Sequence, residues 1–320
     1  MDPLTDVLSL LKPRNYRCRG VDIGGDLAFR FGRHHGIKCY AVVSGQCWLL
    51  MDGATEALEL KAGDCVLLPT GAPFCLATDP SVDPVVGFDQ LAAHQNGGVA
   101  TLNGGGACFI FGAHFLITNG HADLLTKLLP SVIHINSETE KADLGWALDR
   151  IRKELRGGQP GSLLLAQHLA YMILVQALRL HLERKPPGSV GWLFALADKH
   201  ISLAMSAIHD SPADPWTLQA LAHRAGMSRS QFSRRFREVV GATPMEYLTR
   251  WRMLLASDRL NQRGEAIAQI AHSLGYESER AFRKAFKTVM GCSPHKYGRA
   301  SKQADAGEFQ LGSNFGLQIG

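Results

Sequence analysis

Cysteines at metal-ligand spacing are missing from this chain: Cys18, Cys39, Cys47, Cys65, Cys75, Cys108 and Cys292 form no C-x-x-C pair. An odd number of thiols without that spacing argues against zinc sites and disulfide frameworks and for reduced cysteines in a cytosol. No secretory leader is expected either, because Met1-Asp2-Pro3-Leu4-Thr5-Asp6 carries two acids and no basic stretch before an apolar core. The nearest approach to a membrane span, Ser162 to Leu178, contains Gln167, His168 and Gln176 and is short for a bilayer crossing. It reads as a buried helix or a subunit contact, so no membrane partner is expected. There is no G-x-S-x-G elbow, and Gly104-Gly105-Gly106 has no phosphate-loop lysine beside it and reads as a loop.

What is present is ordinary globular chemistry, 46% hydrophobic and 20% charged over 320 residues, a length that fits two domains better than one. The net charge of +5 hides a division. Pro215 to Ala300 carries 15 Lys+Arg against 6 Asp+Glu, a net of +9, and the remainder carries 19 against 23, a net of −4. A basic C-terminal third on a mildly acidic body points to one part that meets a polyanion and one that does not.

From about Tyr16 to Phe88 the pattern is short apolar or alternating runs broken by glycine, among them LAFRF (27–31), CYAVVSG (39–45), CWLLMDG (47–53) and CVLLPTG (65–71). Such runs read as strands of an all-β barrel or sandwich. Asn96 to Gly106 reads as a loop, and Phe109–Phe115 and Val132–Ile135 as further strands. After Glu138 the period becomes helical: Leu144, Leu148, Ile151 and Leu155 recur until Gly157-Gly158 stops them. A second helix runs from about Ser162 to Glu183 and a third from Trp192 to His209. Trp216 to about Tyr297 is almost wholly helical, and 300–320 reads as a disordered tail.

The C-terminal third repeats itself. Leu218, Leu221, Ala222 and Gly226 recur 49 residues later as Ile267, Ile270, Ala271 and Gly275. Ser228, Phe232, Phe236, Gly241, Pro244 and Tyr247 recur 50 residues later as Ser278, Phe282, Phe286, Gly291, Pro294 and Tyr297. Each copy has a short helix, a glycine able to take positive φ, a serine suited to an N-cap and a second helix, which is a helix-turn-helix unit. Met245 to Leu260 reads as a shared helix between the copies. Sorting each second helix at about 100° per residue puts Phe232 and Phe236 on a buried side with Ser230, Ser233, Arg234 and Arg237 opposite. In the second copy Phe282 and Phe286 are buried, and Arg280, Arg283, Lys284 and Lys287 face out. Cationic and hydroxyl side chains on one exposed face suit phosphate contact and the reading of base edges in a major groove. A merely solvated face would be neither so one-sided nor duplicated.

Pro215–Tyr297, through GMSRSQFSRRFREVVGATPMEYL and IAQIAHSLGYESERAFRKAFKTVMGCSPHKY, resembles the DNA-binding domain of AraC/XylS-type transcription regulators. The resemblance implies a seven-helix domain whose two helix-turn-helix units enter adjacent major-groove turns. Ser230, Ser233, Arg234, Arg280, Arg283 and Lys284 match that family's base-facing positions, and Ser228, Arg229, Arg237 and Lys287 complete the expected DNA-contacting set. Gly298 departs from the family's usual arginine, with Arg299 beside it. The N-terminal half resembles the cupin-type sensory domain of a subset of these regulators, through DPLTDVL (2–8), Gly45 and Gly53, and GDCVLLPTGAPF (63–74). The joining segment 191–217 resembles that subset too.

Metal-dependent cupin enzymes hold their ion with histidines and usually a glutamate. Here the second-motif histidine position is Phe74, the glutamate position is Lys38, and only His34 or His35 aligns with the first motif. One imidazole beside a lysine does not hold a divalent ion, and His34-His35 reads as a surface or strand-end pair. His94, His114 and His121 are the residues from which a site would have to be rebuilt. The cysteines of the strand-like runs read as small core residues, with thiol sensing as the sharper alternative.

The expectation is therefore an α+β, two-domain chain: a cupin-like barrel for effector sensing or dimerisation (1–137), a helical linker with the dimer contact (138–210), an AraC-type DNA-binding domain (211–299) and a disordered tail (300–320). Its expected partners are double-stranded promoter DNA, a small-molecule effector of unknown identity, RNA polymerase and a second copy of the chain. No catalytic residue, metal or cofactor is expected, and the protein would work in the cytoplasm. The alternatives are a metal-dependent cupin enzyme with a helical appendage and an adaptor that has lost DNA, the second opposed by the basic helix faces.

Overall fold

The computed structural model describes residues 3–11, 15–86, 95–96, 98–116, 129–184, 190–261 and 265–299. The chain divides into two compact units, one of residues 13–118 with 125–187, the other of 1–12 and 119–124 with 188–320. The expected tail, 300–320, lies outside the described residues.

Among the described residues, the β unit has twelve strands in two sheets. One has the order β12 (Ile133–Ile135), β6 (Cys65–Leu68), β3 (Ile37–Ser44), β11 (Cys108–Leu116), β1 (Asn15–Ile23), β10 (Val99–Leu102), β9 (Gln95–Asn96). The other has the order β5 (Leu58–Lys61), β4 (Gln46–Met51), β7 (Phe74–Ala77), β2 (Ala28–Phe31), β8 (Val85–Val86). Period-two alternation decides what each sheet buries. Along β3, Tyr40 and Val42 join the core with Phe31, Leu49, Phe74 and Ile110. Cys39 and Ala41, also buried, point to the opposite face, where helices pack on β1, β3, β6 and β12. All seven cysteines are free. Cys39 and Cys65 approach to 3.6 Å between sulfurs, and that contact together with burial pushes the Cys39 thiol up.

Two local expectations are corrected. The loop expected over Asn96–Gly106 contains β10, which pairs parallel to β1 from Gly20↔Val99 to Ile23↔Leu102. Val99 and Ala100 are buried there, and the turn at Asn103 to Gly106, all at positive φ, follows the strand. The single helix expected over Trp192–His209 is two. The carboxylate of Asp198 accepts hydrogen bonds from the backbone N–H groups of His200 and Ile201, each at 3.0 Å, and an aspartate that binds its own following backbone starts a new helix rather than continuing an old one.

Helices α2 (Glu138–Gly157) and α3 (Ser162–Arg184) complete the β unit. Ser137 and Glu140 cap α2 reciprocally, and Gly158, left-handed at φ +58°, ends it. At the far end of α3, Arg184 forks onto the Glu140 carboxylate and also donates to the His134 carbonyl and Asn136 Oδ1. One guanidinium thus ties α3 to the start of α2 and to β12.

The other unit is helical. It begins with α1 (Pro3–Leu11), whose Leu4, Val7 and Leu8 are buried at i, i+3 and i+4, and α1 packs on α5 (Ile201–Asp210) and α8 (Pro244–Asn261). Asp6 pairs with His209 Nδ1 at 3.3 Å. His209 Nε2 lies 2.8 Å from the Tyr247 hydroxyl, and its ring stacks on Trp251 at 3.8 Å. Residues 3–8 therefore pack with the helical unit, and the helices expected as a 138–210 linker are shared between the two units. After α4 (Trp192–Ala195), seven helices follow among the described residues: α5, α6 (Leu218–Arg224), α7 (Arg229–Val240), α8, α9 (Ile267–Ser273), α10 (Glu279–Met290) and α11 (294–299).

The Arg184 guanidinium holds the Glu140 carboxyl down at about 2, against an ordinary value of 4.5. A carboxyl depressed by folding contributes stability in full above about pH 4.5 and loses it as pH falls towards 2. Glu140→Gln should therefore lower unfolding stability near pH 7 by about 2 kcal/mol, after allowance for the partial exposure of Arg184. In chemical denaturation the difference from wild type should shrink to nothing as pH falls from 4.5 to 2.

Candidate nucleic-acid interface

Each helix-turn-helix unit is built the same way. In the first, Thr217 caps α6 by accepting from Ala220 N–H at 3.1 Å. Gly226 takes φ +64°, and Met227 N–H returns to Ala222 C=O at 3.0 Å, a left-handed turn that favours glycine. Ser228 then caps α7. In the second, the turn at Gly275 has φ +77°, with the Ala213 carbonyl so close that a Cβ would meet it at 2.2 Å. Tyr276 N–H returns to Ala271 C=O at 3.1 Å, and Ser278 caps α10.

The orientation of α7 and α10 comes from repeated aromatic clusters. Phe232 packs on Phe236 at 5.5 Å and Phe236 on Tyr247 at 5.9 Å. Fifty residues on, Phe282 packs on Phe286 at 5.7 Å and Phe286 on Tyr297 at 5.6 Å. All four phenylalanines are fully buried. The helix between the copies, α8, is apolar on two sides: Tyr247 and Trp251 meet the cluster around His209, while Met253 and Ala256 enter the core of the second copy. Arg252 links the segments further, donating to the Pro212 carbonyl at 2.6 Å and the Asp214 carbonyl at 2.8 Å with its guanidinium over Tyr276.

With the phenylalanines inward, Ser228, Arg229, Ser230, Arg234, Arg237, Arg280, Arg283, Lys284 and Lys287 are exposed, and Ser233 is half-buried. Ser228 faces solvent but spends its hydroxyl on the cap and on Gln231 Oε1, at 2.8 Å. Among the described residues Arg229, Arg237, Arg280, Lys284 and Lys287 form no ion pair, and Arg234 has only a 3.9 Å approach to Glu238. These cations remain available to phosphates and guanines.

Three residues outside the expected set shape this face. Arg235, between two of its members, is drawn aside by Asp198 at 2.9 Å. Gln231 is exposed in the first turn of α7, where its amide can address adenine. Glu279 accepts from Arg283 Nε at 2.6 Å and from Nη2, which leaves the outer edge of that guanidinium free and fixes its plane. The acid four residues ahead of the arginine was the available sequence signal.

In the β unit, Lys38 is half-buried and Phe74 buried, and among the described residues no three His, Cys, Asp or Glu side chains cluster. His94 and His121 lie outside the described residues. His35 is exposed, whereas His34 differs from expectation. It turns inward, with Nε2 3.2 Å from the Leu68 carbonyl and its ring edge-on to Phe74 and His114, because packing on those aromatic faces outweighs solvent.

The cupin family model matches residues 2–183, and a helix-turn-helix domain model matches 221–300. A putative AraC-like transcription regulator of Streptomyces lividans is 42% identical, over 93% of this chain and 98% of that protein. A second, from Streptomyces antibioticus, is 40% identical over the same shares. The regulator AlkR of Acinetobacter baylyi is 29% identical over 94% of this chain and all of its own length.

Arg234→Ala and Lys284→Ala should each weaken specific DNA binding by about 1–3 kcal/mol if they read bases. Glu279→Ala should broaden the base preference beneath α10 while non-specific affinity stays level or rises. Competition binding with substituted sites, repeated across a salt series, checks both. Affinity should fall steeply with salt, as release of counterions requires, and a flat response would contradict a phosphate-facing surface.

Proposed function

The chain belongs to the AraC-like family of DNA-binding transcription regulators and carries a cupin domain ahead of its helix-turn-helix domain, and from this premise we propose how it divides its work. Helices α7 and α10 enter successive major-groove turns of promoter DNA, on one side of the duplex and about 34 Å apart. Arg234, Arg280, Arg283 and Lys284 read bases together with Ser230 and Ser233, while Arg229, Arg237 and Lys287 hold phosphates. The observation that carries this reading is the duplicated Phe-Phe-Tyr cluster, which turns a cationic face outward twice.

The cupin domain is a non-catalytic sensor of a small effector. Phe74 and Lys38 at the metal-ligand positions support a sensing role over an enzymatic one. The protein acts in the cytoplasm as a homodimer and meets RNA polymerase at the promoter. The dimer forms through α2 and α3, where Trp146 is 68%, Leu164 59% and Met172 41% exposed. Large apolar side chains exposed together mark a surface that another protein covers.

A genome-wide map of binding sites, followed by footprinting with the purified protein, tests the DNA reading. Protection should span two adjacent major-groove turns per subunit, and absence of any sequence preference would overturn it. In sedimentation, Leu164→Glu with Met172→Glu should convert a dimer to a monomer. A wild type that is already monomeric at micromolar concentration would refute the helical interface.

A further inference from the structure

We infer that the two recognition helices select different base compositions. Helix α10 reads a guanine-rich segment, in which Glu279 and Arg283 together read one whole G·C pair, and α7 accepts a mixed segment. The inference rests on the DNA-binding reading of these helices and gives their duplex partner a composition.

The internal repeat makes the two faces comparable position by position. At an offset of fifty residues Arg234 becomes Lys284 and Arg237 becomes Lys287, so charge is kept at both places. Ser230 and Ser233 become Arg280 and Arg283, and Arg229 becomes Glu279. The buried phenylalanines are the same in both copies, and each helix starts from a serine cap and ends at a left-handed glycine. Like-placed side chains therefore differ in chemistry alone. Positions 230, 233 and 234, and their counterparts 280, 283 and 284, lie in the first two turns. Those are the turns that reach base edges when a recognition helix enters the major groove.

A carboxylate in the first turn of α10 is out of place on a surface that meets phosphates, unless it is neutralised there and meets a donor. Arg283 neutralises it: Nε donates to Glu279 Oε1 at 2.6 Å, and Nη2 closes on the same oxygen. A guanidinium carries five N–H bonds, so the outer Nη1–Nη2 edge keeps a fork that fits guanine O6 and N7. Glu279 Oε2 has no hydrogen bond among the described residues, and a carboxylate oxygen accepts from the N4 amino group of cytosine. In a G·C pair that amino group lies beside O6, so fork and acceptor together match every polar group the pair displays in the major groove. An A·T pair would set its N6 donor against the fork and its O4 acceptor against the carboxylate.

Arg280 and Lys284 are exposed beside this unit and suit neighbouring guanines. On α7 one guanidinium, Arg234, stands among Ser230, Ser233 and Gln231. A serine hydroxyl both donates and accepts, so it fits several bases, and the Gln231 carbonyl already accepts from Ser228 at 2.8 Å. The first helix is the permissive one.

The probe is a randomised duplex library, bound and re-amplified through several rounds with the full-length protein. Wild type should enrich a guanine-rich segment about ten base pairs, centre to centre, from a mixed one. Arg280→Ser with Arg283→Ser, which copies the first helix onto the second, should abolish the guanine-rich segment and keep the mixed one. The reverse exchange, Ser230→Arg with Ser233→Arg, should enrich guanine in both. Within the enriched site, exchanging the G·C pair beneath Arg283 for A·T should weaken wild-type binding about tenfold or more. Replacing its cytosine by 2-pyrimidinone, which lacks the N4 amino group, should weaken wild type but leave Glu279→Ala unmoved. Equal loss in both proteins would overturn the cytosine contact, since a carboxylate that only positions Arg283 is indifferent to that amino group. A guanine-rich segment that survives Arg280→Ser with Arg283→Ser, or a wild-type preference without such a segment, refutes the assignment and leaves the regulator reading intact. A wild type that enriches no sequence refutes both. Should the double serine variant fail to fold, the reverse exchange decides.

Discussion

The burial of two aromatic side chains one helical turn apart, done twice, is the constraint on which the DNA-facing architecture depends. Phe232 with Phe236, and Phe282 with Phe286, leave no exposed surface. Removing one such ring costs about 3–5 kcal/mol in a packed core, far more than any surface charge contributes to folding. The core therefore dictates the rotation of α7 and α10, and the arginines and lysines take the remaining side as a consequence. Helix α8, buried on two faces, ties both rotations to one axis, and Arg252 fastens it to the loop before α6. The interface is cationic because the sequence places charge there, and it is presented because phenylalanine holds the opposite side.

Much of this was legible in the sequence because the signals were local. Glycine at Gly226 and Gly275, serine at Ser228 and Ser278, and the 3.6-residue period of the phenylalanines fix short helices without reference to distant residues, and the boundaries of α6 and α9 follow. What escaped depended on partners far away in the chain. Val99–Leu102 became a strand because β1 offered it a parallel ladder, a pairing with no local signature among the surrounding glycines. The break after Ala195 came from one carboxylate, Asp198, which also draws Arg235 away from the cationic face. Leu4 and Val7 looked like the start of a barrel but found their apolar seat on α5 and α8.

In the β unit, the sequence put Lys38 and Phe74 where the resemblance places metal ligands in cupin enzymes and left open what they do there. That required geometry: the alternation of β3 that turns Lys38 inward, and the ring contacts that place His34 beside His114. A charge count cannot distinguish a lysine in solvent from one that, like Lys38, lies over the stacked rings of Phe31 and Phe74.

The position of α1 bears on how the molecule can be dissected. The polypeptide starts in the helical unit, passes through residues 12–14 into the β unit, and returns past residue 187. A fragment beginning at residue 188, the natural cut for isolating the promoter-binding half, would forfeit its first helix. The seats of Leu4 and Val7 would open to water, and the imidazole of His209 would lose the aspartate that faces it. Poor solubility of such a truncation would reflect amputation of its own core rather than any need for the sensory half.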